Sequence, residues 1–123
     1  MNTKNKINIE KEHCCCATGH RAQKLPWKFN ENDFRCFVAK EKTKTAIHIA
    51  VRDGYKYFMS GMALGFDMIF AEVVLELKKE YPHIQLVCVI PCKNQYELWP
   101  IGQQERYHTI LEQADQIICL NDT

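Results

Sequence analysis

The feature that most constrains this chain is an alternation of short, wholly apolar runs with longer stretches in which apolar residues recur three and four apart. The run Leu86-Val87-Cys88-Val89-Ile90, ended by Pro91, has no polar position, which suits a parallel strand covered on both faces rather than an antiparallel strand with one wet face. Cys14-Cys15-Cys16-Ala17-Thr18, Tyr55 to Met59 and Gln116 to Leu120 read as three further strands. Between the first two, a helix is predicted from about Phe34 to Arg52, capped by Asp33 or Asn32 and stopped by Gly54. Its apolar positions are Phe34, Phe37, Val38, Ile47, Ala50 and Val51, and its polar middle, Lys40 to Lys44, predicts a break. From Phe66, the residues Phe66, Ile69, Phe70, Val73, Val74 and Leu77 form the clearest helical stripe, which stops at Tyr81-Pro82. A third helix is expected around Gln103 to Gln113. The order β-α-β-α-β-α-β predicts an α/β fold: a Rossmann-like open parallel sheet of about four strands with helices on both faces. One domain over residues 13–123 is expected, after a polar lead-in over residues 1–12.

Composition removes several classes of function. Apolar residues make up 46% of the chain and the formal net charge is +1, so no global field draws the protein to nucleic acid or to an anionic membrane. Seven cysteines include three in succession, and those on strand-like runs, with Cys92 beside one, read as buried thiols in a reducing compartment. No His/Cys spacing matches a metal site, and no cofactor is implied. The absence of an apolar leader or a long apolar window predicts a cytoplasmic protein with no membrane partner.

Open parallel sheets bind ligands outside the C-terminal ends of their strands, where strand order reverses; an order of 3-2-1-4 would put that crevice between the first and fourth strands. Thr18-Gly19-His20-Arg21 leaves the first strand with groups a phosphate needs, since glycine admits backbone N–H groups and arginine offers a planar fork to oxyanions. A tight turn with His20 and Arg21 in solvent explains the same residues, and both readings stay open. Ser60-Gly61-Met62-Ala63-Leu64-Gly65 joins a strand to a helix and predicts an anion or ribose site at a helix N-terminus, with Met62 and Leu64 as packing residues. It lacks the third glycine of a dinucleotide fingerprint and the Gly-Lys-Ser/Thr ending of a Walker A loop. Asp67, in the first helical turn, suits a ribose hydroxyl better than a phosphate. Glu72 is five positions further on, off the face of Asp67, so paired acid and base work is weakly supported. In the loop from Pro91 to Pro100, Asn94 is the candidate for a base edge, while Tyr96 and Trp99 either join it or close the core.

Thr18-Gly19-His20-Arg21, Ser60-Gly61-Met62-Ala63-Leu64-Gly65-Phe66-Asp67, Ile90-Pro91-Cys92-Lys93-Asn94-Gln95, Arg106-Tyr107 and Ala114-Asp115 together resemble the YpsA-like family of uncharacterised bacterial proteins. That family lies in the SLOG superfamily, which is similar in fold to cytokinin-activating phosphoribohydrolases and to the Rossmann-like domain of DNA-processing protein A. The resemblance runs from about Cys14 to Asp122 and implies a nucleotide or nucleoside-phosphate ligand held by Gly19, His20 and Arg21 in a first loop and by Ser60, Gly61, Gly65 and Asp67 in a second; Thr18 and Asn94 join the candidate ligand-binding residues from their places in the loops after the first and third strands. Other members often carry a second consecutive glycine where Met62 stands. They are also longer, adding a strand and a Gly-Gly-Thr segment, so the resemblance implies a chain missing its C-terminal portion.

Three functions follow as expectations. The first is a nucleotide-binding module without turnover. The second is an N-glycosidic hydrolase acting on a nucleotide, with Asp67 or Glu72 as the candidate catalytic carboxylate that stabilises positive charge on the sugar. The third is single-stranded nucleic-acid binding through Arg21, Lys24 and Lys28 beside Trp27 as a stacking platform, which the charge balance makes the weakest. A fourth strand at the sheet edge, with Ile117, Ile118 and Leu120, also predicts a homo-oligomer through that edge.

Overall fold

The computed structural model describes residues 14–16, 25–28, 30–91 and 96–120. The elements are β1 (Cys14–Cys16), α1 (Phe34–Arg52), β2 (Tyr57–Ser60), α2 (Phe66–Lys78), β3 (Gln85–Pro91), α3 (Ile101–Gln113) and β4 (Gln116–Leu120), in the expected sequence. All three strand pairs are parallel, and helices flank the sheet in an open Rossmann-like α/β arrangement. The strand order is β1-β2-β3-β4, which overturns the 3-2-1-4 order and with it the crevice between the first and fourth strands. Each crossover steps in the same direction, so β1 and β4 are the two edges among the described strands.

Register explains the burial pattern. Phe58 lies opposite Leu86, Cys88 opposite Ile117 and Ile90 opposite Cys119, and all of these join one core with Met68, Ile69, Phe70, Ala71, Val73, Val74 and Leu77 of α2. Val87 alternates to the other face of β3 and is also fully buried, so the strand is covered on both sides and has no place for a polar residue. β3 and β4 are tied by Asp115, whose N–H donates to the Leu86 carbonyl at 3.0 Å and whose Oδ2 accepts from the Leu86 N–H at 2.9 Å. Lys78 completes the tie through an ion pair to the other carboxylate oxygen.

α1 departs from expectation in two ways. Its polar middle does not break, because Lys44 pairs with Glu41 at 3.2 Å and with Glu76 of α2 at 3.0 Å, and the Thr43 hydroxyl donates to the Ala39 carbonyl. Phe34 and Phe37 do not enter the core; they are 73% and 56% exposed and stack on each other, while Cys36 and Ile47 take the fully buried positions. Asp33 caps the helix, with Oδ1 accepting from the Arg35 N–H at 2.8 Å. The side-chain bond from Arg35, aided by that backbone bond, lowers the Asp33 carboxyl to about 2, so the cap's contribution is fully present above the usual value of 3.8 and is lost as pH falls through about 2. At the other end Gly54, at φ 98°, turns the chain out of the helix. The Tyr55 N–H donates to the Ala50 carbonyl, which delays β2 to Tyr57.

Two further expectations are corrected. Trp27 is only 8% exposed and packs in the core with Leu25, so it is not the stacking platform that nucleic-acid binding required. Cys88 and Cys36 are fully buried, and burial pushes the Cys36 thiol above its usual pKa; Cys14, Cys15 and Cys119 are only half-buried, because they stand on the edge strands. No helix among the described residues is long and apolar enough to cross a membrane.

Candidate ligand-binding site

The turn from β2 into α2 is the best-defined part of the site. Ser60 ends the strand at 1% exposure; its hydroxyl donates to the Asp67 carbonyl at 2.8 Å and accepts from the Met62 N–H at 3.1 Å. The Asp67 carboxylate folds back, with Oδ2 accepting from the Ala63 N–H at 3.3 Å. Gly61 makes room for this: a Cβ there would stand 3.1 Å from Asp67 Oδ2. Gly65, at φ 123°, carries the chain into α2 through backbone space that side chains rarely enter, and it brings no side-chain cap to the helix. Met62 is the exception to glycine chemistry here, holding φ 59° while its side chain is fully buried. It is a packing residue, as expected.

This geometry gives the loop two chemical characters. Backbone N–H groups and the start of a helix dipole favour an anion, and the Asp67 carboxylate, already leaning on the Ala63 amide, favours a hydrogen-bond donor such as a sugar hydroxyl. Thr18, Gly19, His20, Arg21 and Asn94 lie outside the described residues. Among the described residues, Cys16 at the end of β1 pairs with Met59, and Ser60 follows one residue later. The end of β1 at Cys16 therefore lies beside the end of β2, about 5 Å away in the direction of strand pairing.

Glu72 is engaged elsewhere. Both of its oxygens accept from Arg106 of α3, Oε2 from Nε at 2.8 Å and Oε1 from Nη2 at 2.5 Å. The same guanidinium donates to both oxygens of Glu31, at 2.7 and 3.1 Å, and to Gln103 Oε1 at 3.3 Å. Lys40 Nζ stands 3.5 Å from Glu31. Burial works against the Arg106 charge, but hydrogen bonds and attraction from Glu72 and Glu31 outweigh it and raise its pKa above the usual value. The residues missed from sequence are therefore Glu31 and the partnership of Glu72 with Arg106. No local spacing relates positions 31, 72 and 106; only the meeting of α2, α3 and the turn before α1 does. Tyr96 and Trp99 pack around Tyr107, with ring centroids 5.2 and 5.4 Å away, and close that end of the core.

The YpsA family model, described as the YspA SLOG family, matches residues 15–123. The chain belongs to this family. YpsA-family relatives include a UPF0398 protein of Brevibacillus brevis, 36% identical over 107 residues that cover 87% of this chain and 56% of the relative. A UPF0398 protein of Halalkalibacterium halodurans is 34% identical over 98 residues, covering 80% and 51%. One from Bacillus pumilus is 37% identical over 87 residues, covering 71% and 47%. The chain thus spans about half the length of these YpsA-family relatives.

Proposed function

We propose that this YpsA-family chain is a binding module for a nucleotide or nucleoside phosphate, without appreciable turnover, its site made by Thr18 to Arg21 and Ser60 to Asp67. The observation that carries this reading is the Ser60–Asp67 turn, where the Met62 and Ala63 amides are spent on Ser60 Oγ and Asp67 Oδ2, so that the start of α2 is left to favour an anion and the Asp67 carboxylate to meet a hydroxyl within a single loop. Gly61 and Gly65 shape the loop, Ser60 ties it shut from inside, and Asp67 accepts from the sugar. Thr18, Gly19, His20 and Arg21 supply the phosphate side, and Asn94 reaches a base edge. Glu72 is set aside as a catalytic carboxylate because both its oxygens serve Arg106.

The test is a calorimetric and thermal-shift screen of nucleoside mono-, di- and triphosphates, with product analysis for released base. Binding without release is expected, whereas release of free base would move the assignment to an N-glycosidic hydrolase built on Asp67. Absence of binding by the chain would overturn the proposal. Within the screen, Asp67→Asn should narrow the difference between ribose and deoxyribose ligands to within about twofold while leaving phosphate dependence in place, since the substitution removes charge at the hydroxyl side of the site. An unchanged ribose preference would remove Asp67 from the site.

We also propose that the chain self-associates through β4, whose outer edge carries the half-buried Ile118 and an exposed Leu120. Sedimentation at micromolar concentration should show a dimer that Leu120→Lys dissociates. A monomer at all concentrations would rule this out.

A further inference from the structure

The stretch before α1, residues 25–28 and 30–33, is held by less than the elements around it. Its backbone hydrogen bonds among the described residues are local: the Lys28 N–H donates to Leu25, Asn30 to Trp27 and Asp33 to Asn30, and the Asp33 carbonyl accepts from Cys36 and Phe37 at the start of α1. Beyond α1, its polar tie among the described residues is the pair of bonds that Arg106 of α3 donates to Glu31, at 2.7 and 3.1 Å. The other hold is apolar, through Leu25 and Trp27, which are 6% and 8% exposed. Two features oppose it. Trp27 Nε1 is buried with no hydrogen-bond acceptor among the described residues, and a donor buried in that way loses its water without a replacement. Lys28 holds φ 51°, in the left-handed region that a residue with a Cβ enters at a cost. Two buried side chains and one ion pair thus stand against an orphaned donor and a strained turn, which leaves a small balance in favour of the closed arrangement.

We propose that residues 25–28 and 30–33 form a strap that opens as a unit while the sheet and helices stay folded, with Arg106 as its clasp through Glu31. Opening brings water to the Trp27 indole N–H and relaxes the Lys28 turn; closing buries Leu25 and Trp27 and restores the ion pair. The clasp is sensitive to salt, because the Arg106 and Glu31 side chains are 18% and 28% exposed and ions reach them. Its two arms do different work. Glu72 stands on α2, which Val73, Val74 and Leu77 fix in the core, and it accepts from Arg106 at 2.8 and 2.5 Å whether the strap is open or closed. The Glu31 arm exists only in the closed state.

The experiment is hydrogen exchange followed by NMR at the Trp27 indole N–H, told apart from that of Trp99, the second of the two tryptophans, by a Trp99→Phe variant. The amides of Leu86, Val87 and Cys88, fully buried in β3, report global unfolding. In the unaltered chain, after allowance for intrinsic rates, the indole should exchange at least about a hundredfold faster than these amides. Glu31→Gln should speed indole exchange about tenfold, the loss of a charge-assisted tie present only when the strap is closed. Glu72→Gln should change it by less than about twofold and speed the β3 amides instead, since that tie survives opening and is lost only on global unfolding. Added salt should speed indole exchange more in the unaltered chain than in Glu31→Gln. An indole that exchanges no faster than β3 overturns the strap. Indole exchange unaltered by Glu31→Gln, equally speeded by Glu72→Gln, or equally sensitive to salt in both chains overturns the clasp.

Discussion

Arg106→Met should lower the unfolding free energy by about 2 to 3 kcal/mol, a fall in melting temperature of about 8 to 12 °C for a chain of this size. Removing one partner of a well-buried ion pair costs about 3 to 5 kcal/mol, because the charge left behind keeps its desolvation penalty and loses its compensation. The Arg106 side chain is 18% exposed and Glu72 is 40% exposed, so water reaches part of the network and the lower figure applies. Without the guanidinium, Glu31 and Glu72 face each other across the space it filled, and they repel. Two controls follow from that cause. Raising salt should shrink the deficit, since repulsion between partly wetted charges is screened. Combining Arg106→Met with Glu31→Gln and Glu72→Gln should recover most of the loss, because the three central groups are then neutral and Lys40, which loses Glu31, is wetted by solvent. Thermal and denaturant unfolding of the unaltered chain, Arg106→Met and the triple variant checks this, and a triple variant no more stable than Arg106→Met would contradict the electrostatic account.

Arg21→Ala should weaken nucleoside-phosphate binding by about one to two orders of magnitude, the loss of a charge-assisted hydrogen bond worth about 1.5 to 3 kcal/mol. The argument is positional. β1 pairs with β2 through Cys16 and Met59, so the end of β1 lies beside the turn that begins at Ser60. Asp67 occupies the amide side of that turn with a negative charge, and a phosphate arriving there needs a cation to offset the repulsion. Arg21 follows β1 in sequence by five residues and is the cation that the proposed site assigns to the phosphate. Arg21→Lys should fall between wild type and alanine, since it keeps the charge and loses the planar fork. Lys28→Ala should leave affinity unchanged: Lys28 is exposed, in a turn at φ 51°. Equal affinity of Arg21→Ala and the unaltered chain in a titration with ADP would remove Arg21 from the site.

The fold was legible where one physical signal acted alone. The apolar run over residues 86–90 predicts a central strand because nothing but burial on both faces explains it, and the stripe from Phe66 to Leu77 predicts α2 because its period is helical throughout. α1 was less legible because its apolar residues serve two ends. Phe34 and Phe37 stack in solvent, and the polar middle is held by Lys44 pairing with a residue on another helix. Strand order was illegible for a different reason. Each crossover in a parallel sheet has the same local sequence signature whether the chain steps onward or doubles back, so the apolar runs carry no information on it. In the site, Ser60, Gly61, Gly65 and Asp67 were legible as a strand-to-helix turn. The infolded Asp67 carboxylate was not, because it depends on the missing Cβ of Gly61 and the amide of Ala63 meeting in space.

The register of the central strands shapes the rim where these loops sit. Ser60, the last residue of β2, lies opposite Cys88, whereas β3 continues for three residues to Pro91, which lies opposite Leu120 at the end of β4. At about 3.3 Å per residue, the β3 and β4 side stands roughly 10 Å above the point where the Ser60 turn begins. The rim is therefore a step, with the glycine turn on a ledge and the two longer strands as its riser. A planar group resting on that ledge has the ends of β3 and β4 standing behind it as a wall.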